Sequence, residues 1–144
     1  MNLDDVGADE FGRSLRGIGL NLLVRNVPEQ VRFLRDLFDM PAFQPTDDFA
    51  IITYGDQLFQ LHADGTYANN PLGAVVAAVD ARGPGVEIRL YDTDPDDAVA
   101  RAHQHGFEVL QEPADKPHGL REAYIICSNG YVWVPSRPLE GAQA

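Results

Sequence analysis

Two hydrophobic periods alternate along the chain. Over 18–24, Leu20, Leu22 and Val24 alternate with Gly19, Asn21 and Leu23, the period of a strand with one face under a helix. A helix follows. Asn26 can cap it, Pro28 suits its first turn, and Glu29 lies three residues after the cap. Val31, Leu34, Leu37 and Phe38 then recur at helical spacing, and Pro41 forbids continuation. A short extended piece at 42–45 precedes strands at 49–54 and 57–62, which Gly55-Asp56 joins as a hairpin. The stretch 63–70 reads as loop, and 71–80, apolar and alanine-rich, as a short helix. Residues 1–14 read as a polar lead-in and 140–144 as a frayed tail.

After the breaker Ala81-Arg82-Gly83-Pro84-Gly85 the plan repeats. A strand at 86–91 leads to Asp94-Pro95-Asp96-Asp97, which combines a cap, a first-turn proline and acids on the positive end of the helix dipole. Ala98, Val99 and Ala102 form a narrow apolar stripe, and Gly106 ends the helix. Strands at 107–111, 120–127 and 131–135 complete the half, the last two joined through Ser128-Asn129-Gly130. The second cap, Asp94, lies 68 positions after the first, Asn26. The chain is therefore read as one domain of two repeats, 15–63 and 84–138, with a linker at 64–83. Neither repeat can bury both faces of its sheet alone, but two side by side can form one larger curved sheet.

Composition narrows the function. The 144 residues hold 11 Lys+Arg against 22 Asp+Glu, a formal net charge of -11. That excess argues against binding nucleic acid or anionic membranes. No apolar run is long enough to span a bilayer as a helix, and MNLDDVGADEFGR is too acidic for a secretory signal. One cysteine, Cys127, leaves no intrachain disulfide and fits a reducing, cytoplasmic setting. Cys127 ends the apolar run Tyr124-Ile125-Ile126 and reads as a buried, inert thiol. A G-x-S-x-G elbow, a P-loop and a Cys/His zinc cluster are all missing from the sequence.

Strand alternation places the candidate chemistry. Asn21, Leu58, Gln60, His62, Glu87, Arg89, Tyr91, Val132 and Val134 fall on the faces turned away from the helices. An apolar floor with a few polar groups is the composition of a small-molecule pocket. Asn21, Gln60, His62, Glu87, Arg89, Tyr91 and Val134 are the ligand-binding candidates, with His118 and Arg121 at the pocket edge. Plainer roles stand beside these. Glu87 and Arg89, at i and i+2, can simply neutralise one another, an exposed pair contributing at most ~1 kcal/mol. Tyr91 can merely pack, and His118 can be a solvated loop histidine. Arg121 and Glu122 can be an ordinary strand-edge pair.

The segments GLNLLVRNVPEQVRFLRDLFDM and PADKPHGLREAYIICSNGYVWV resemble the opening and closing parts of the vicinal oxygen chelate superfamily, which includes glyoxalases, bleomycin-resistance proteins and extradiol dioxygenases. The second segment is similar to a proline-tryptophan-glycine-x-arginine-glutamate run followed by a strand and a glycine turn, with His118 in place of the tryptophan. The resemblance covers 18–138 and implies an α+β fold: two βαβββ modules forming a cup-shaped mixed sheet with helices outside, in a homodimer. It also implies a divalent metal held by one residue from the first and one from the last strand of each module. Those positions map to Gly19, Gln60, Glu87 and Val134. Glycine and valine offer no donor, so only Gln60 and Glu87, with His62 two residues from Gln60, remain as weak metal candidates. The favoured expectation is a small-molecule binder without a catalytic metal or other cofactor. The alternatives are a metal-dependent glyoxalase-like lyase or isomerase or a dioxygenase-like enzyme, and a non-catalytic scaffold.

Overall fold

The computed structural model describes residues 1–139, so the 140–144 tail lies outside the described residues. The described chain is α+β and contains the βαβββ plan twice. The first pass runs β1 (Asn21–Val24), α2 (Val27–Phe38), β2 (Ala42–Phe43), β3 (Phe49–Tyr54) and β4 (Gln57–Ala63), preceded by α1 (Ala8–Ser14). A 3₁₀ turn, Asp64–Tyr67, and α3 (Pro71–Ala77) follow. The second pass runs β5 (Gly83–Leu90), α4 (Pro95–His105), β6 (Glu108–Asp115), β7 (Leu120–Ile126) and β8 (Tyr131–Pro138). Each pass makes a four-stranded mixed sheet of equivalent order, β1-β4-β3-β2 and β5-β8-β7-β6. In each, the first strand lies parallel to the last, and the remaining pairs are antiparallel. The chain divides into two compact units, Met1–Arg35 with Asp39–Ala78, and Asp36–Phe38 with the chain from Val79 onward.

Both crossover helices begin as their sequences dictate. The Asn26 side chain accepts a hydrogen bond from the Glu29 backbone N–H at 2.9 Å, and the Asp94 side chain accepts one from that of Asp96. In the first unit, Leu22, Val24, Ala50, Ile52 and Leu61 share one sheet face through their register and are buried. Helix α2 contributes the buried stripe Val27, Val31 and Leu34. Leu20, expected in that stripe's company, precedes β1 and is partly exposed. In the second unit α4 packs on β6, β7 and β8. Its Ala98, Val99 and Ala102 are buried, as are Ala123, Ile125 and Trp133 of the sheet. The small alanines let the helix approach closely, which explains how so narrow a stripe suffices. Cys127, just past β7, is free and buried.

The lead-in 1–14 is structured. Val6 and Phe11 are buried with Ile51, and Leu3, Phe43, Phe49 and Leu58 pack around them. Gln44 holds this segment in place, its Nε2 donating to the carbonyls of Leu3 (2.9 Å) and Val6 (3.1 Å). Other boundaries also shift. The 63–70 loop contains the 3₁₀ turn, the helix read at 71–80 ends at Ala77, and β5 starts at Gly83 and ends before Tyr91.

Candidate functional site

In the second unit, parallel register sets Glu87 against Val132 and Arg89 against Val134, and antiparallel register sets Glu122 against Ser136. Residues paired in this way share a face. Glu87, Arg89, Glu122, Tyr124 and Val134 therefore lie on the side of the sheet away from α4. Arg89 Nη1 donates to Glu87 Oε1 at 2.8 Å, and the Tyr124 hydroxyl donates to Glu87 Oε2 at 2.7 Å. Arg89 Nη2 donates to Glu122, whose side chain is only 3% exposed. His118 Nε2 lies 3.5 Å from the same Glu122 carboxylate. Tyr91 stands just beyond the strand, its ring centroid 5.5 Å from the Arg89 guanidinium carbon, in cation–π range.

The electrostatics follow from these contacts. The Tyr124 hydroxyl and the Arg89 guanidinium hold the Glu87 carboxyl below its ordinary pKa. Glu87 in turn holds the Tyr124 phenol above its own. Burial works to lower the Arg89 pKa, but the hydrogen bonds that Arg89 donates to Glu87 and Glu122 outweigh it and keep the guanidinium charged. A general base works best with a pKa near the ambient pH. Glu87 is pushed the other way, and Tyr124 becomes a poorer acid. The cluster is suited to fixed charge and hydrogen bonding rather than proton transfer.

In the first unit, Asn21 pairs in register with Gln60, and Leu23 with His62. Gln60 Oε1 lies 2.9 Å from His62 Nε2. The His62 ring is packed edge-on to Phe49 and Tyr67, with centroids at 5.2 and 5.6 Å. This partial burial lowers the His62 pKa. Asn21 is exposed.

Sequence alternation thus brings Glu87 and Arg89 together, and Gln60 with His62, each within its own unit. Arg121, expected at a pocket edge, is engaged by carboxylates. Its guanidinium donates to both Asp96 oxygens (2.7 and 2.9 Å) and to Asp115 (2.8 Å), on the α4 side of the sheet. Its neighbour Glu122 takes the opposite face. Tyr124 is the residue that sequence reasoning missed. It sits in an apolar run, yet the two-residue step from Glu122 would have placed it beside Glu87.

The donor set fits the implied metal poorly. Gly19 has no side chain, and Val134 is apolar and fully buried. Both Glu87 oxygens already accept hydrogen bonds, and the Gln60 amide oxygen faces His62. Among the described residues no three His, Cys, Asp or Glu side chains are grouped to hold an ion.

The paired βαβββ fold is that of a known class. Solved structures with it include a glyoxalase/bleomycin resistance protein/dioxygenase from Nocardioides, at 21% identity, 94% of this chain, 95% of that one and a TM-score of 0.67. A glyoxalase/bleomycin resistance protein/dioxygenase family enzyme from Burkholderia phytofirmans PsJN matches at 14% identity, 83% of this chain, 96% of that one and a TM-score of 0.68. A glyoxalase-related enzyme from Fulvimarina pelagi matches at 14% identity, 90% and 96% coverage, and a TM-score of 0.68. The resemblance read from the sequence therefore holds at the level of the fold. No family model and no curated protein sequence matches the chain. Among the described residues, no helix is long and apolar enough to cross a membrane.

Proposed function

We propose that this protein binds a small molecule, without a catalytic metal centre, on a sheet face of mixed polarity: the one that carries Glu87, Arg89 and Tyr124 in the second unit or the one that carries Gln60 and His62 in the first. The observation that carries this reading is the state of Glu87. It is the one carboxylate at a metal-ligand position implied by the resemblance, and both of its oxygens are engaged, by Arg89 and by Tyr124. A metal would have to displace two charge-assisted or phenolic hydrogen bonds and would still lack a donor at Val134. The same groups form a preorganised polar surface above buried Val132 and Val134, the mixture of apolar floor and few polar groups that small ligands use.

The competing reading, a metal-dependent lyase, isomerase or dioxygenase-like enzyme, rests on the fold and on the retained carboxylate. It requires Glu87 to leave both partners. Elemental analysis of purified protein, paired with a thermal-shift screen of small molecules with and without EDTA, separates the two. The binder reading expects no stoichiometric metal and ligand-induced shifts that survive EDTA. A full complement of divalent metal that is lost in Glu87→Gln would overturn it.

A further inference from the structure

The face of the first sheet that carries Gln60 and His62 is partly occupied by the chain itself. Ile51 pairs in register with Gln60 and Phe49 with His62, so all four share that face. Val6 and Phe11 are buried against Ile51, and the Phe11 ring meets Phe49 edge-on at 6.5 Å. Phe49 in turn touches the His62 ring. The segment that carries Val6 and Phe11 therefore lies over the apolar part of the proposed ligand surface and reaches His62 through one intervening ring.

Its attachment is slight. Helix α1 has seven residues and no side-chain cap at its start, too short to persist without its packing. Apart from Leu3, Val6 and Phe11, every residue from Met1 to Ser14 is exposed. The connection to β1, Leu15 to Leu20, is exposed throughout, with Ile18 fully so. Gly17 within it has φ +69, and a Cβ at either Gly17 or Gly19 would meet nothing. This is a pivot with a cover on its end. Gln44 is the latch: held at φ 51, it gives its amide N–H groups to two carbonyls of the cover.

We propose that the segment Leu3–Ser14 is a strap that swings on Leu15–Gly19, Leu20 being held by the Gln60 backbone N–H, which donates to its carbonyl at 3.0 Å, and occupies the site in place of a ligand. The occupant it mimics is a small molecule with a flat apolar group, seated where Phe11 sits against Phe49 and Ile51. That molecule also carries a carbonyl-type acceptor for the Gln44 amide. This deepens the small-molecule reading and rests on it for the ligand, but strap opening is measurable alone.

The test uses the full chain and the dye 8-anilinonaphthalene-1-sulfonate as an apolar aromatic probe, with hydrogen exchange read by mass spectrometry. Two variants are compared with the parent. Phe11→Ala removes the anchor, and Gln44→Asn withdraws the latch while keeping a residue that tolerates positive φ. Both are expected to bind dye several-fold more strongly. Exchange at the Phe11 amide, which donates to the Gly7 carbonyl, should quicken at least tenfold, with β3 and β4 amides still protected. If Phe11→Ala also strips protection from β3 and β4, the segment is integral core and the strap is overturned. Unchanged dye binding in Gln44→Asn overturns it equally. Strap opening without any hit in the EDTA-insensitive ligand screen would instead count against the small-molecule reading, leaving the moving segment intact.

Discussion

The Tyr124 hydroxyl donates to Glu87 Oε2 at 2.7 Å, linking β7 to β5 across the intervening strand β8. This bond is the first cause of the depressed Glu87 pKa. Tyr124→Phe should therefore raise the Glu87 pKa toward the ordinary carboxylate value, as followed by carboxyl-carbon NMR. A folded pKa below the unfolded one contributes stability that is present above the unfolded value and lost as pH falls through the folded value. The variant should lose part of that acid-limb dependence. Glu87 is 46% exposed, so the cost at neutral pH should stay within about 1 kcal/mol.

Arg89 neutralises Glu122, a carboxylate almost wholly out of water. Arg89→Met would strand that charge beside His118 alone. Breaking one side of a buried pair costs about 3–5 kcal/mol, and urea melts at pH 7 should show a loss on this scale. Arg89→Met combined with Glu122→Gln should recover most of it.

His62 titrates below its ordinary value because the folded chain partly buries it. The unfolded chain takes up its proton first as pH falls, so stability should decline from about pH 6.5 down to the depressed folded pKa. Above pH 6.5 the residue contributes no slope. Chemical denaturation of parent and His62→Gln across pH 5–8 checks this, and the variant should lack that part of the slope.

Two glycines with positive φ should respond very differently to alanine. At Gly55, φ is +60 and the space is open, so Gly55→Ala should cost only the left-handed backbone penalty of roughly 1–2 kcal/mol. At Gly130, φ is +86 and a Cβ would stand 2.5 Å from the Ala81 Cα and 2.7 Å from the Arg82 nitrogen. Backbone cannot give way as a side chain can, so Gly130→Ala should cost more than ~3 kcal/mol or prevent folding. Thermal melts of the pair decide it.

Much of the fold was legible because its signals are local. Asn26 and Asp94 cap their helices where the side-chain chemistry demanded, and Gly106 ends α4 in the left-handed conformation. Strand alternation correctly set Glu87 and Arg89 on one face, because the period of two leaves no other choice within β5. Tyr91 lies just past the end of β5 yet keeps its ring against the Arg89 guanidinium, and Glu122, one step along β7 from Arg121, takes the opposite face. The packing of 1–14 has no local signature, because Val6 and Phe11 are two apolar residues among acids, a pattern whose meaning depends on contacts with Ile51 and Phe49 some forty positions away.

The chain has a single sulfur nucleophile, at the corner where β7 turns toward β8. Labelling of Cys127 by a thiol reagent is thus a one-event reaction with no competing site. Its rate in native buffer clocks how often that corner breathes, and any small compound that slows the clock without touching the sulfur has tightened the second unit.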